Sequence, residues 1–208
     1  VGTFNTSSSL EVKTSNSPIK VTVNVFNPDN RTPTKVNLRT SNRLVCFPPH
    51  QLVARVRFLL DFLTFFPYSI LSADLALLSA PESQSHGSFF VSTHTSNSPL
   101  LVNFTEHAID AQLKLQAHTS NSPARVRLQP AFEGTFKLRT SIFPALVSPD
   151  VDVEDPAGRG RKRVVNVKTL GHGSGVVYGD TAWVPQDEGT PAGRVEVSTS
   201  GSPLHLSL

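Results

Sequence analysis

The sequence predicts an all-β chain, a β-solenoid or stacked β-sheet built from two-strand repeats some two dozen residues long, and two observations carry that expectation. The first is a five-residue phrase, Thr-Ser-Asn-Ser-Pro. It is written in full at Thr14 to Pro18, Thr95 to Pro99 and Thr119 to Pro123, and in altered form from Thr40, Thr140 and Thr199. The second is strict alternation of apolar and polar residues on both sides of each copy, the period-two mark of strands with one buried face. Stacked rungs of this kind bury a continuous apolar interior that no single repeat can close. The runner-up is a β-sandwich whose turns share a sequence.

Along the chain, strand-like runs precede the phrase at Leu10/Val12, Val36/Leu38, Phe89/Val91, Leu113/Leu115/Ala117, Phe136/Leu138 and Val195/Val197. Alternation resumes afterwards in Ile19/Val21/Val23/Val25, Leu44/Cys46, Leu100/Val102/Phe104, Ala124/Val126/Leu128 and Leu204/Leu206/Leu208. The phrase itself reads as a corner. Asn tolerates the left-handed region, Ser and Asn side chains bond nearby backbone, and Pro is accepted at a strand's first residue.

One stretch departs from this grammar. Residues 56–79, V-R-F-L-L-D-F-L-T-F-F-P-Y-S-I-L-S-A-D-L-A-L-L-S, are rich in Phe and Leu and lack the alternation seen elsewhere. Asp61, Pro67 and Asp74 make them a poor membrane span. From Thr40 to Thr95 the numbering advances by 55, whereas from Thr14 to Thr40, Thr95 to Thr119 and Thr119 to Thr140 it advances by 26, 24 and 21. Two readings account for an apolar insertion over 56–79: a short helix packed against the sheets, or a translated intron, which the codons allowed at Val56-Arg57, Ala73-Asp74 and Ser79-Ala80 permit. Two loops complete the single domain expected over 1–208. One is charged, over 148–163, and the other is Gly/Pro-rich, over 185–193.

The chain carries 19 basic and 16 acidic residues, a net charge of +3 that gives no strong pull toward nucleic acid or anionic lipid. The lone Cys46 excludes an intrachain disulfide and, on an alternating position, reads as a small buried hydrophobe. Without a Met and beginning at Val1, the chain reads as a segment of a longer protein, so any membrane attachment is expected outside it. Asn5, Asn30 and Asn103 head N-x-S/T sequons and are acceptors for glycans if the chain is secreted.

Candidate chemistry is sparse. His94 and His118 each stand immediately before an intact phrase, so in-register rungs would place them about 5 Å apart at Cβ, close enough to share a metal ion but short of the three or four ligands most sites need. An exposed His ladder is the preferred reading, and no cofactor is expected. Gly171-His172-Gly173-Ser174-Gly175 is neither a nucleophile elbow nor a phosphate loop and reads as a turn. Arg159, Arg161, Lys162 and Arg163 form a basic cluster able to contact an anion, although the acidic run from Asp150 to Asp155 lies beside it and favours neutralisation within the loop. Trp183 reads as a cap on the core, with a sugar-stacking platform as the sharper alternative.

With the repeats laid out, the chain resembles the adhesin-like β-repeat domains of uncharacterised fungal proteins, themselves similar to a bacterial adhesin family. The likeness rests on the Thr-Ser-Asn-Ser-Pro units and on Phe132 to Ser141, Asp155 to Val164 and Gly193 to Ser202. It implies a fold and a role at a cell surface or membrane periphery, and it transfers no catalytic residue. The expectation is a non-catalytic structural or interaction module that meets a glycan or protein through ladders of Thr, Ser and Asn. The alternative is a carbohydrate-active enzyme on a β-helix, which would need acidic residues clustered on one face.

Overall fold

Alternation becomes sheet wherever the structure is described. The computed structural model describes residues 1–15, 17–28, 32–41, 70–79, 87–170, 175–186 and 192–208. Among these there is no α-helix, and therefore no helix long and apolar enough to cross a membrane. Fifteen strands among the described residues form two sheets.

The first sheet has seven strands: β1 (Gly2–Thr6), β3 (Ile19–Asn27), β5 (Leu71–Ser79), β7 (Leu100–His107), β9 (Ala124–Arg127), β15 (Leu204–Ser207) and β11 (Ala145–Ser148), in that spatial order. All of its neighbours are parallel. The second has eight, in the order β12 (Lys162–Thr169), β13 (Val176–Val184), β10 (Gly134–Arg139), β14 (Gly193–Thr199), β8 (Gln112–Thr119), β6 (Ser88–Thr95), β4 (Thr34–Ser41) and β2 (Ser9–Ser15). Here β13 runs antiparallel to both β12 and β10, and every other pair is parallel.

This arrangement corrects the expected solenoid. The repeats do not stack in chain order, because the last one, β14 with β15, inserts between β8/β9 and β10/β11 in both sheets. The β12–β13 pair widens only one sheet. Nor does an antiparallel sandwich describe a molecule with one wholly parallel sheet. What results is two sheets of different size and polarity around one core.

The core is built from side chains in matched rows. Val36, Val91, Leu115, Val195 and Phe136 follow one another across the mixed sheet, and Leu71, Leu100, Ala124 and Leu204 across the parallel one, all buried. Each fully buried Val, Leu or Phe contributes roughly 1.5–3 kcal/mol relative to exposure. A one-residue slip in any strand would turn its whole apolar set outward, so the core holds every register.

The anomalous segment needs redrawing. Its last nine residues are β5, which alternates after all and pairs in register with β3 and β7 while Leu71, Ala73, Leu75 and Leu77 enter the core. The alternation is hidden in the sequence because Ala76 is buried too, at the register shift between Leu75 and Ala76. A short helix over these nine residues is excluded. Residues 56–69 lie outside the described residues, as do Leu44, Cys46, Asn30, 171–174 and 187–191.

The corners show why the phrase recurs. Thr95 Oγ1 donates to Ser98 O at 2.7 Å, Thr199 Oγ1 to Ser202 O at 2.5 Å, and Thr140 Oγ1 to Phe143 O, each closing the bend onto the carbonyl three residues ahead. Thr40 and Thr119 reach across to the neighbouring corner, at Ser17 O and Ser98 O. These threonines are buried, as are Ser98, Ser122 and Ser202. The expected display of Thr and Ser to a partner is therefore corrected in part: the Thr of five corners and the second Ser of three are internal scaffolding, while the first Ser and the Asn stay at the surface, as in the Asn121 to Asn97 side-chain bond of 2.8 Å.

Gly134 opens β10 at φ 149°, and a Cβ there would lie 2.2 Å from the carbonyl oxygen of Gly193 on the adjacent strand. Gly134→Ala is expected to destabilise the fold by about 2 kcal/mol or more, through the unfavourable φ and the backbone clash. Urea unfolding of the two proteins measures it; equal midpoints would contradict the close approach.

Candidate interaction face

Both sheets have one face in the core and one outside, and the outer faces differ in charge. On the mixed sheet the outward positions include Lys13, Lys35, Arg39, Lys114, Lys137, Arg139, Lys162, Lys168 and Arg194, against Glu11, Glu196 and Asp180. Nine minus three is +6 on one flat surface, in a chain whose total is +3. The three acids are engaged: Glu11 with Lys13 at 2.7 Å, Glu196 with Arg194 at 2.5 Å, and Asp180 with the Asn166 amide at 2.9 Å. Arg194 holds Glu196 below the usual carboxylate range.

Register arranges these cations around two aromatic rings. Lys35, Phe90 and Lys114 occupy one row on β4, β6 and β8, and Lys137, Tyr178 and Lys168 another on β10, β13 and β12. In each row a ring sits between two lysines that are two strands apart, about 9.6 Å at the backbone. Lys114 Nζ lies 5.8 Å from the Phe90 centroid. An open depression covers each row, of about 620 Å³ over the first and 430 Å³ over the second, and Arg194 borders both.

His94 and His118 lie on the same face and stack as the ladder requires, with centroids 5.1 Å apart and planes 17° apart. His118 Nδ1 is 2.8 Å from Ser198 Oγ on the next strand. Among the described residues no group of three or more His, Cys, Asp or Glu could hold a metal ion. The pair therefore has the stacked geometry that in-register rungs predict.

The basic cluster is taken apart by the fold. Arg161 is buried between two carboxylates, with Nη2 3.0 Å from Asp155 Oδ1 and Nη1 3.3 Å from Glu133 Oε1. Asp155 also accepts the backbone N–H groups of Ala157, Arg159 and Arg161, and these bonds, led by that from the Arg161 side chain, hold it well below the usual range. Arg163 is buried as well and donates to Asp150 O at 3.0 Å. Arg159 forks onto Asp110 at 2.6 and 3.2 Å. Arg159 and Lys162 stay exposed, Arg159 on Asp110 and Lys162 on the mixed sheet's outer face, so the fold separates the four instead of presenting them as one cluster. Trp183 likewise offers no platform: it is 1% exposed, donates its indole N–H to Pro130 O, and lies about 6 Å beneath both Arg161 and Arg163.

Two sequons can be placed. Asn5 is exposed on the edge strand β1 and accepts from Asn24 at 2.8 Å, whereas Asn103, mid-sheet on β7, donates its amide to Asp74 at 2.9 Å. A glycan at Asn103 would cost that bond and stand over neighbouring strands. The register that pairs His94 with His118 also pairs Phe90 with Lys114, so part of the first row is implicit in the repeats; the second row is not, because the β12–β13 pair lies outside the repeat pattern.

Comparison with protein-family models, with curated proteins and with solved structures finds no match.

Burial leaves His107, at the end of β7, titrating at about 4 instead of 6.5, the Ala111 carbonyl offsetting the shift only in part. A depressed His contributes stability in full above pH 6.5 and loses it as pH falls toward 4. That loss is about 3 kcal/mol, and His107→Gln is expected to flatten it. Denaturant unfolding at pH 7 and pH 4 measures the difference between the two proteins; parallel profiles would contradict a buried neutral ring.

Proposed function

We propose that the chain is a non-catalytic, adhesin-like interaction module whose outer mixed-sheet face binds an extended acidic glycan. The observation that carries this reading is the repeated Lys–aromatic–Lys row. The C–H face of a sugar ring packs on Phe90 or Tyr178, and a carboxylate or sulfate on that sugar or its neighbour meets the flanking ammonium groups. Paired strands present such rows as a rigid surface, so little ordering cost accompanies binding. The resemblance to adhesin-like β-repeat domains supports placement at a cell surface. A carbohydrate-active enzyme finds less support, since all three acids of this face are held by neighbours and no two of them face each other across an open depression.

Exposed ion pairs contribute up to about 1 kcal/mol each. The double variant Lys137→Ser/Lys168→Ser is thus expected to bind polygalacturonate roughly tenfold more weakly, while Lys20→Ser on the other sheet changes nothing. Binding should weaken as salt rises. Isothermal titration of the purified chain measures both. Equal affinity for a neutral β-glucan, or equal retention on single-stranded DNA, would overturn the assignment, as would turnover of the polysaccharide.

A further inference from the structure

We infer that residues 43–68 are the translation of an unspliced intron, and that the mature protein runs from Asn42 through a single serine to Ile70. The reasoning starts from the corners. In the five repeats around it, four residues separate the corner threonine from the first paired residue of the next strand: Thr14 to Ile19, Thr95 to Leu100, Thr119 to Ala124, Thr140 to Ala145 and Thr199 to Leu204. Thr40 pairs with Thr14 and Thr95, and Leu71 pairs with Ile19 and Leu100, so these two are the same positions in their own repeat. Positions 41–70 lie between them where the other corners have four, an excess of 30 − 4 = 26.

The described residues on either side of the excess keep the bonds of the other corners. The Thr40 hydroxyl bonds Ser17 O across to the adjoining corner, as that of Thr119 bonds Ser98 O. Ile70 O accepts the N–H of Ile19, the place taken by Pro99 O toward Leu71, Pro123 O toward Leu100 and Pro203 O toward Ala124. Ile70 therefore stands where the phrase puts its proline. Removing 43–68 leaves Ser41-Asn42-Ser69-Ile70, and the chain reads Thr-Ser-Asn-Ser-Ile-Leu beside Thr-Ser-Asn-Ser-Pro-Leu at Thr95.

The codons permitted at the junction agree in phase as well as length. Arg43-Leu44-Val45 can be written AG/GTTGGTN, with a GT donor opening at the last base of codon 43. Tyr68-Ser69 can be written TACAG/C, an intron end. Joining AG to the remaining C restores a serine codon. Between them, Leu63-Thr64 permits the branch sequence CTAAC or CTGAC, and Phe65-Phe66-Pro67 requires mostly pyrimidines before the acceptor. The intron expected over 56–79 is thereby moved upstream, because β5 is a core strand.

Amplification of genomic DNA and of reverse-transcribed message across codons 40–71 tests this directly. The message is expected to be 78 nucleotides shorter, three for each of 26 codons, and mass spectrometry of the native protein to show one peptide reading Thr-Ser-Asn-Ser-Ile-Leu. Amplicons of equal length, or a native peptide containing Phe62 to Phe66, would overturn the inference. As an independent measure, the protein lacking 43–68 should melt at or above the temperature of the full chain; a lower melting temperature would show that the shortened corner does not close.

Discussion

The corner threonine governs this molecule. Its side chain is buried where two strands of different sheets meet, and a buried hydroxyl left without an acceptor costs about 1–3 kcal/mol. Bonding to the carbonyl three residues ahead, or to the equivalent carbonyl of the adjoining corner, satisfies it and sets the angle between the incoming and outgoing strands. With the corner length set, Val36 and Ile19, Val91 and Leu100, Leu115 and Ala124 all point into the same core. The repeated phrase is thus a geometric requirement of the core, met again at each turn of the chain.

From that constraint follows the contrast between inside and outside. Inward rows must be almost wholly apolar, so alternation repeats in every strand that faces the core. Outward rows are free of that demand, and there the two sheets diverge, the mixed one gathering Lys, Arg, His, Phe and Tyr and the parallel one carrying Thr, Asn and fewer charges. At the far end the widening pair β12–β13 leaves the core edge to be closed by Trp183 under two guanidinium groups, with Glu133 accepting both Arg161 and the Trp183 backbone N–H. The Arg161 charge is tolerated there because Asp155 and Glu133 both accept from it, an arrangement in which loss of one partner would strand the other, whereas Arg163 rests on the Asp150 carbonyl and the Trp183 ring.

Much of the fold is legible residue by residue. Period alone reads Leu10/Val12 through Val195/Val197 as strands, and each of these runs is one, since a half-buried strand has no other way to sort its side chains. The phrase reads as a corner for the right chemical reason, yet Thr95, Ser98, Thr119, Ser122, Thr199 and Ser202 are buried where the sequence places them outside; burial of a small hydroxyl depends on a backbone acceptor that composition does not reveal. Leu71–Ser79 hides as a strand because Ala76 and Leu78 interrupt the polar positions of an otherwise alternating run. Arg161 and Arg163 look like an anion site because the partners that neutralise Arg161 are Glu133 and Asp155, the first of them 28 positions away, and charge pairing at that separation is a property of the folded chain.

Sequence by itself determined the all-β character and the strands flanking the three intact Thr-Ser-Asn-Ser-Pro copies with their inward apolar residues, because these are local consequences of alternation and turn chemistry. Tertiary structure alone decided where the last repeat and the β12–β13 pair enter the strand order. The last repeat enters between two earlier ones, and only that neighbour relation brings Arg194 between Lys114 and β10. Strand order likewise sets Tyr178 between Lys137 and Lys168 and shows Ile70 in a proline's place. Parallel pairing is long-range, written in no short stretch of the chain, so order within a sheet emerges when the shared core selects it.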